Sequence, residues 1–339
     1  MNPVLVTGGA GYVGSHAVKA LAAAGRDVVV LDNLSAGHAE AVERVARAFP
    51  ARAIELVTGD TADAALLDGL LARVTPAAVM HLAARLSVPE SVADPAGYYR
   101  NNVIGTLTLL EAMVKAGVPR FVFSSTCAVF GEPEAVPIEE SHPTRPINAY
   151  GETKLAIERA LGHFDRAYAL KSVALRYFNA SGADPEGLIG EDHDPEIHLI
   201  PRAIMAATGG EPLQVFGDDY PTPDGTCQRD YVHVADLAQA HLLALARLEQ
   251  GAASAVYNLG NGGAVSVREV IDAVERVSGR TVPFVTSPRR RGDPARLVAS
   301  SARAREELGW RPALAAVDDI VGTAWRWHSA HPRGYRDIR

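Results

Sequence analysis

Pro3-Val4-Leu5-Val6-Thr7-Gly8-Gly9-Ala10-Gly11-Tyr12-Val13-Gly14 passes from a β-branched run through a glycine-rich turn into a helical pattern. Glycines at 8, 11 and 14 permit a tight turn, close approach of a ligand to the backbone, and close packing of helix on strand. The helix opening there presents free N–H groups to phosphates. A loop can carry the same glycines, so the context decides. Asp32 closes the next β-branched run, 18 residues after Gly14, where a carboxylate can accept from ribose hydroxyls. No Arg or Lys follows Asp32 in the next few residues to meet a 2′-phosphate, which favours NAD over NADP. Asp60, after Gly59 at the end of a third run, is placed to reach the adenine side.

Outward from this turn the chain alternates short strands with helices. Strands are expected at Val4–Val6, Asp27–Leu31, Ile54–Val57, Ala78–Leu82, Phe121–Ser124 and Ser172–Tyr177. Helical patterns fill 12–24, 38–48, 62–73, 96–116 and 150–169 between them. That spacing indicates βαβ units, hence an α/β fold with a doubly wound parallel (Rossmann) sheet covered on both faces. Residues 180–231 turn rich in Gly, Pro and Asp, with one helix near 200–208. A helix at 235–248 and a strand at 255–259 return to the sheet, and further helices are expected at 266–278, 301–308 and 315–329. The expected division is a dinucleotide-binding domain over 1–179 and 232–262, and a smaller, discontinuous C-terminal α/β lobe over 180–231 and 263–339. Such a lobe would sit over the carboxyl ends of the strands, where open α/β sheets bind ligands.

Composition narrows the partners. The 339 residues carry 33 Lys+Arg against 40 Asp+Glu, net −7, which argues against nucleic acid or an anionic membrane as the main partner. No apolar run reaches the ~18 residues of a membrane span, and the N-terminus enters a strand at once, so a cytoplasmic protein is expected. Cys127 and Cys227 cannot build a disulfide framework. No Cys/His spacing resembles a zinc site; the nearest pair, His193 and His198, lies in a Pro-rich loop, and no metal is expected.

Tyr150-Gly151-Glu152-Thr153-Lys154 sets Tyr and Lys four apart, on one helical face. A phenol with an ordinary pKa near 10 is a poor base; an adjacent ammonium and a positive nicotinamide ring would favour its phenolate. Lys is scarce here: only Lys19, Lys115, Lys154 and Lys171, against 29 Arg. A strand ending Ser124-Ser125-Thr126, 24 residues before the Tyr, supplies a hydroxyl at the same edge. Tyr150, Lys154 and Thr126 are therefore the expected catalytic residues.

With these motifs go Asn101-Asn102-Val103, Arg176-Tyr177-Phe178-Asn179, Val215-Phe216-Gly217, Asp219 to Thr226, Arg229 to Leu237, Tyr257-Asn258-Leu259-Gly260 and Arg289 to Asp293. Together they resemble, over nearly the whole chain, the UDP-glucose (UDP-galactose) 4-epimerase family of the extended short-chain dehydrogenase/reductase superfamily. The resemblance implies interconversion of UDP-glucose and UDP-galactose by transient oxidation at sugar C4. It implies a tightly bound, unconsumed NAD contacted by Tyr12, Val13, Asp32, Asn33, Asp60, Thr61, Leu82, Ala83, Ala84, Asn101, Lys154 and Phe178. Asn179, Phe216, Arg229, Arg290 and Asp293 would hold the UDP moiety; two guanidiniums suit a diphosphate and a carboxylate a ribose. Arg289 and Arg291 are expected to be solvated. The resemblance also implies a homodimer, with helices near 96–116 and 150–169 pairing as a four-helix bundle.

The chain departs from relatives of that family at three positions. Leu86 stands where some carry a Lys near the cofactor, and His198 replaces an Asn beside the uridine. Leu297 is intermediate between a bulky Tyr that restricts the site to plain hexoses and a small residue that admits N-acetylated sugars. Other readings are a related NAD-dependent nucleotide-sugar epimerase or dehydratase, or a non-catalytic NAD sensor. Cys127-Ala128 after Thr126, where dehydratases of the superfamily carry an acidic pair, speaks against dehydration.

Overall fold

The computed structural model describes residues 2–290 and 293–337. Its first half runs β1 (Val4–Thr7), α1 (Tyr12–Ala23), β2 (Val28–Asp32), α2 (Ala39–Ala48), β3 (Ile54–Thr58), α3 (Ala64–Val74) and β4 (Ala78–His81). Next come α4 (Val88–Ala93), α5 (Pro95–Tyr98), α6 (Gly105–Ala116), β5 (Arg120–Thr126), α7 (Ala149–Tyr168) and β6 (Lys171–Tyr177). The rest comprises β7 (Asn179–Ser181), α8 (Leu199–Ala207), β8 (Leu213–Phe216), β9 (Gln228–Arg229), β10 (Tyr231–His233), α9 (Val234–Glu249) and β11 (Ala255–Leu259). It closes with β12 (Val265–Ser266), α10 (Val267–Ser278), β13 (Phe284–Ser287), β14 (Arg296–Leu297), α11 (Ala302–Glu307) and α12 (Val317–Ala330).

Seven strands form one sheet in the order β3-β2-β1-β4-β5-β6-β11, every pair parallel. The order reverses between β1 and β4, which opens a crevice at the carboxyl ends of those strands. β1 and β2 are buried at every residue because helices cover both faces. Val18, Leu21, Val42, Val45, Leu237 and Leu245 of α1, α2 and α9 pack one face. Leu67, Leu71, Leu109, Met113, Ile157 and Leu161 of α3, α6 and α7 pack the other.

A further apolar core gathers Ile200, Ile204, Val215, Val270, Val274, Ile320 and Val321 from α8, β8, α10 and α12. Trp310 and Trp327 instead belong to the core under the sheet, so the C-terminal chain is anchored on both bodies. Val129, Phe130, Ile138, Leu155, Phe178 and Ala299 form a further small apolar cluster. Among the described residues no helix is long and apolar enough to cross a membrane.

Two features depart from the expected pattern. The single helix anticipated over 96–116 is α5 and α6 joined through a widened π-type turn at Tyr99–Ile104. That turn aims the Asn102 amide at the chain leaving β4: it accepts from Arg85 N at 2.9 Å and donates to Arg85 O at 3.0 Å. The Gly/Pro-rich stretch also holds short strands, β8 pairing with β13 and β9 with β12 and β14. At two to four residues each, they carry no periodicity of their own and exist through distant pairing.

Candidate active site

The glycine turn sits at the carboxyl end of β1. A Cβ on Gly8 would fall 2.4 Å from Ala83 N, and one on Gly14 2.0 Å from Gly8 O, so both glycines are demanded by the protein itself. Gly11 differs: its Cβ would meet only Gly8 O, at 3.4 Å. Nothing within the chain requires glycine there, and its absent side chain leaves the backbone open to an approaching ligand. Gly11 is also the N-cap of α1 and offers no side-chain cap, which leaves the first-turn N–H groups available to an anion.

Around this turn the strand ends deliver the other expected contacts. Asp32 is buried and accepts from Ala10 N and Leu34 N, both at 2.9 Å, one bond per oxygen. Each oxygen keeps a lone pair for a ribose hydroxyl. Burial raises its pKa, against the pull of those two N–H donors. Asn33 donates to Asp60 at 2.9 Å and so ties the ends of β2 and β3 together. Leu82 N and Ala83 N both bond Thr7 O, which lays the backbone leading to Ala84 beside the glycine turn. Thr61 is buried, its hydroxyl facing Gly105 at the start of α6; Asn101 donates to Asn102 Oδ1 at 2.9 Å, and Leu86 is 42% exposed. The residues fit a dinucleotide: an open backbone, free N–H groups and a carboxylate with acceptor capacity share one edge.

Asn148 caps α7, accepting from Gly151 N at 2.9 Å, and thereby fixes the turn that carries Tyr150. Tyr150 is half-buried. Burial raises its pKa well above the usual value, Tyr177 adds to this, and the Thr126 hydroxyl works the other way. Lys154 is buried, donates to Ser124 O at 2.8 Å and lies 5.0 Å from the Phe123 ring centroid. Burial lowers its pKa to about 7, with Glu158 opposing. The expectation that Lys154 and a positive nicotinamide ring together draw Tyr150 toward phenolate concerns the site with its cofactor bound. In the protein alone desolvation opposes charge on both groups, and Lys154 Nζ gives one of its three N–H bonds to Ser124 O. Thr126 is buried and its Oγ1 caps the short turn after β5, accepting from Ala128 N at 3.2 Å. Cys127 is no acid for neutral pH, since burial pushes its thiol up to about 12.

The opposite wall carries the residues expected to hold UDP. Arg229 pairs with Asp293 and donates to Pro294 O at 2.9 Å, so this Arg and Asp hold one another. The Arg290 guanidinium lies 3.9 Å from the Phe216 ring centroid. Asn179 donates to Asp230 O at 2.9 Å. Leu297 is in register with Arg229 across β14 and β9 and packs on the cluster that includes Phe178. Arg289 is exposed but not free, since it donates to Asp219 Oδ1 at 2.6 Å; Arg291 lies outside the described residues.

Three groups of polar residues were not legible in the sequence. Thr7 Oγ1 meets His81 Nδ1 at 2.6 Å, His81 Nε2 meets Thr106 Oγ1 at 2.8 Å, and Thr106 donates to Asn102 O. Since Thr106 spends its proton on Asn102, it accepts from Nε2–H, and Thr7 donates to Nδ1: His81 is neutral. Burial lowers its pKa to about 3. Arg176 forms a buried fork on Glu158, one turn beyond Lys154. Glu191, His193, Glu196 and His198 bring their ligand atoms within 4.8 Å of one another. Only the parallel register of β5 and β6, which sets Tyr177 opposite Thr126, offered a sequence signal for any neighbour of Tyr150.

A family model described as the NAD dependent epimerase/dehydratase family matches residues 4–260. The chain is 50% identical over 335 residues to the UDP-glucose 4-epimerase of Lacticaseibacillus casei, covering 98% of this chain and 99% of that one. A crystal structure of UDP-glucose 4-epimerase from Brucella ovis in complex with NAD superimposes with a TM-score of 0.92 at 49% identity, covering 96% and 98% of the two chains. That of Bifidobacterium longum, in complex with NAD+ and UDP, gives 0.94 at 40% identity, covering 98% and 100%.

Proposed function

Because this chain belongs to the NAD dependent epimerase/dehydratase family, we propose that it interconverts UDP-glucose and UDP-galactose through transient oxidation at sugar C4. The observation that carries this is 50% identity to a UDP-glucose 4-epimerase over 98% of one chain and 99% of the other. The enzyme uses NAD, for which the glycine turn, Asp32 and the strand ends make a fitting cradle. Held there by the glycine turn and Asp32, NAD would supply a reversible hydride acceptor for sugar C4.

In our reading the residues divide the work as follows. Tyr150, as the phenolate that the Lys154 ammonium and a bound nicotinamide cation would favour, takes the C4 hydroxyl proton, with Thr126 hydrogen-bonded to the same oxygen, and gives it back at the end of the cycle. The Lys154 ammonium, four residues on along α7, favours that phenolate over the phenol. Arg229 and Arg290 hold the diphosphate, Asp293 the ribose, and Asn179, Phe216 and His198 the uridine side. For Arg229 this means exchanging part of its present pairing with Asp293 for phosphate. A held diphosphate and a loosely held hexose let the 4-keto sugar turn over between the two transfers. The nucleotide sugar would lie between the dinucleotide-binding domain (1–179 and 232–262) and the lobe (180–231 and 263–339). Leu297, opposite Arg229, limits the room beside the sugar.

The assay is conversion of UDP-galactose to UDP-glucose with no NAD added, alongside UDP-N-acetylgalactosamine to read the Leu297 pocket. Tyr150→Phe should lower turnover by roughly 10²–10⁴-fold. Full turnover in that variant sinks the role of Tyr150, and no turnover of any UDP-hexose by the parent sinks the epimerase reading. We also assign the chain to the cytoplasm, in keeping with its free Cys127 and Cys227. A homodimer through α6 and α7 is supported by exposed Tyr99 and Ile104 on the turn leading into α6 and Tyr168 at the end of α7. Sedimentation velocity tests it.

A further inference from the structure

The segment Glu191-Asp192-His193-Asp194-Pro195-Glu196-Ile197-His198 leads into α8 and lies outside every role given above except that of His198. The sequence reading set metal aside because two histidines alone make a poor site. Folding supplies what was missing, since it turns two carboxylates in between them. We propose that Glu191, His193, Glu196 and His198 bind one divalent transition-metal ion of the zinc type, where the lobe meets α1.

Geometry carries the proposal. His193 Nδ1 stands 3.1 Å from Glu191 Oε1 and 3.8 Å from Glu196 Oε1, and all four ligand atoms fall within 4.8 Å. A tetrahedral ion with metal–nitrogen and metal–oxygen distances of about 2.0–2.2 Å sets neighbouring ligands about 3.3–3.6 Å apart. Direction agrees with distance. His193 Nδ1 is shut off from solvent and has no partner in hydrogen-bonding geometry, although a carboxylate oxygen is 3.1 Å away. Two ligands of a common ion behave this way, because each lone pair points at the ion and not at the other ligand. Glu191 Oε1 does pair with His198 Nδ1, a contact that must open to admit an ion, but a plain hydrogen-bonded His–Glu–His chain would satisfy the His193 nitrogen as well.

Chemistry and surroundings fit as well. Two carboxylates with two neutral imidazoles carry a charge of −2 for a dication, and imidazole with carboxylate suits zinc. The supporting shell is built. Glu191 O accepts from Trp327 Nε1 at 2.9 Å, and Glu196 Oε1 accepts from Ile197 N and His198 N at 2.8 Å each. The Tyr12 ring stands edge-on to His193, with centroids 6.2 Å apart. An ion here would fix the orientation of the His198 ring and fasten the lobe to the first turn of α1. The proposal stands apart from the epimerase reading.

The test uses tag-free full-length protein stripped with a chelator and titrated with Co²⁺ alone. The expected result is one Co²⁺ per chain, with the strong visible absorption of a four-coordinate site, displaced by Zn²⁺. His193→Gln should weaken binding by more than about 100-fold, beyond the usual effect of a supporting residue. Absence of saturable absorption in the folded parent overturns the proposal, as does unchanged Co²⁺ affinity in His193→Gln. Should that variant not fold, the imidazole nitrogen resonances of the parent decide. Two Nδ1 signals moving with one equivalent of Zn²⁺ support the site, and none moving overturns it.

Discussion

At the scale of single residues, the three glycines of the first turn serve different masters. A methyl group at Gly14 collides with the Gly8 carbonyl at 2.0 Å, whereas one at Gly11 finds ordinary contact at 3.4 Å. Gly14→Ala should therefore lose stability by a few kcal/mol, as overpacking does. Gly11→Ala should keep its melting temperature within a few degrees yet lose NAD by at least about tenfold, because the pyrophosphate needs that space. Thermal unfolding paired with cofactor content after gel filtration reads both, and a Gly11→Ala protein that retains NAD contradicts the assignment. These glycines, Asp32, Tyr150 and Lys154 were legible because each is dictated by local spacing. The state of Tyr150 and Lys154 was not: depth of burial sets it, and the Tyr-x-x-x-Lys spacing says nothing of depth.

At the scale of elements, regular helices and buried strands were legible from their periods, whereas the π-type turn at Tyr99–Ile104 was not. Its residues read as a helix, and its cause lies 17 residues upstream in the Arg85 backbone and 51 downstream in Thr153, which Asn102 meets at 3.1 Å. Asn102→Ala strips partners from a part-buried N–H and carbonyl of Arg85 and a buried hydroxyl of Thr153 together. With each orphaned group costing about 1–3 kcal/mol, the variant should lose roughly 2–5 kcal/mol in urea unfolding. The loop after β4 should also lose protection from hydrogen exchange. A stability change under about 0.5 kcal/mol would mean that the turn stands without Asn102. The Glu191–His198 cluster was illegible for a related reason, in that its acidic members looked like ordinary loop charge until the chain folded back.

At the scale of the whole molecule, buried histidines set the acid limit. Desolvation holds His81 near 3, and His233 and His241 near 4, against 6.5 in an unfolded chain. Below pH 6.5 the unfolded state binds protons that the native state refuses, so stability is fully present above that pH and falls as pH drops toward about 4. Three such groups give a slope of up to about 4 kcal/mol per pH unit. Chemical denaturation at pH 7, 6 and 5 should show it, and His241→Asn should remove about a third of the slope; a flat profile contradicts the neutral assignments. A net charge of −7 argues against polyanions as the main partners of the whole surface. Small anionic ligands are met instead by local devices: a helix end and individual guanidiniums.

The Tyr12 hydroxyl donates to Gly182 O at 2.6 Å, from the first residue of α1 to the strand end where the lobe begins. On the proposed reading, the helix end that would receive pyrophosphate is thus also a latch on the C-terminal lobe. A swing of the proposed lobe would then pull on the proposed phosphate seat, and loosening that seat would slacken the lobe. Cofactor departure and parting of the two bodies would become one event, with a lifetime set by the slower of them. A catalyst that must hold its oxidant through two opposite transfers gains from such bolting, because a half-finished turnover finds the door shut.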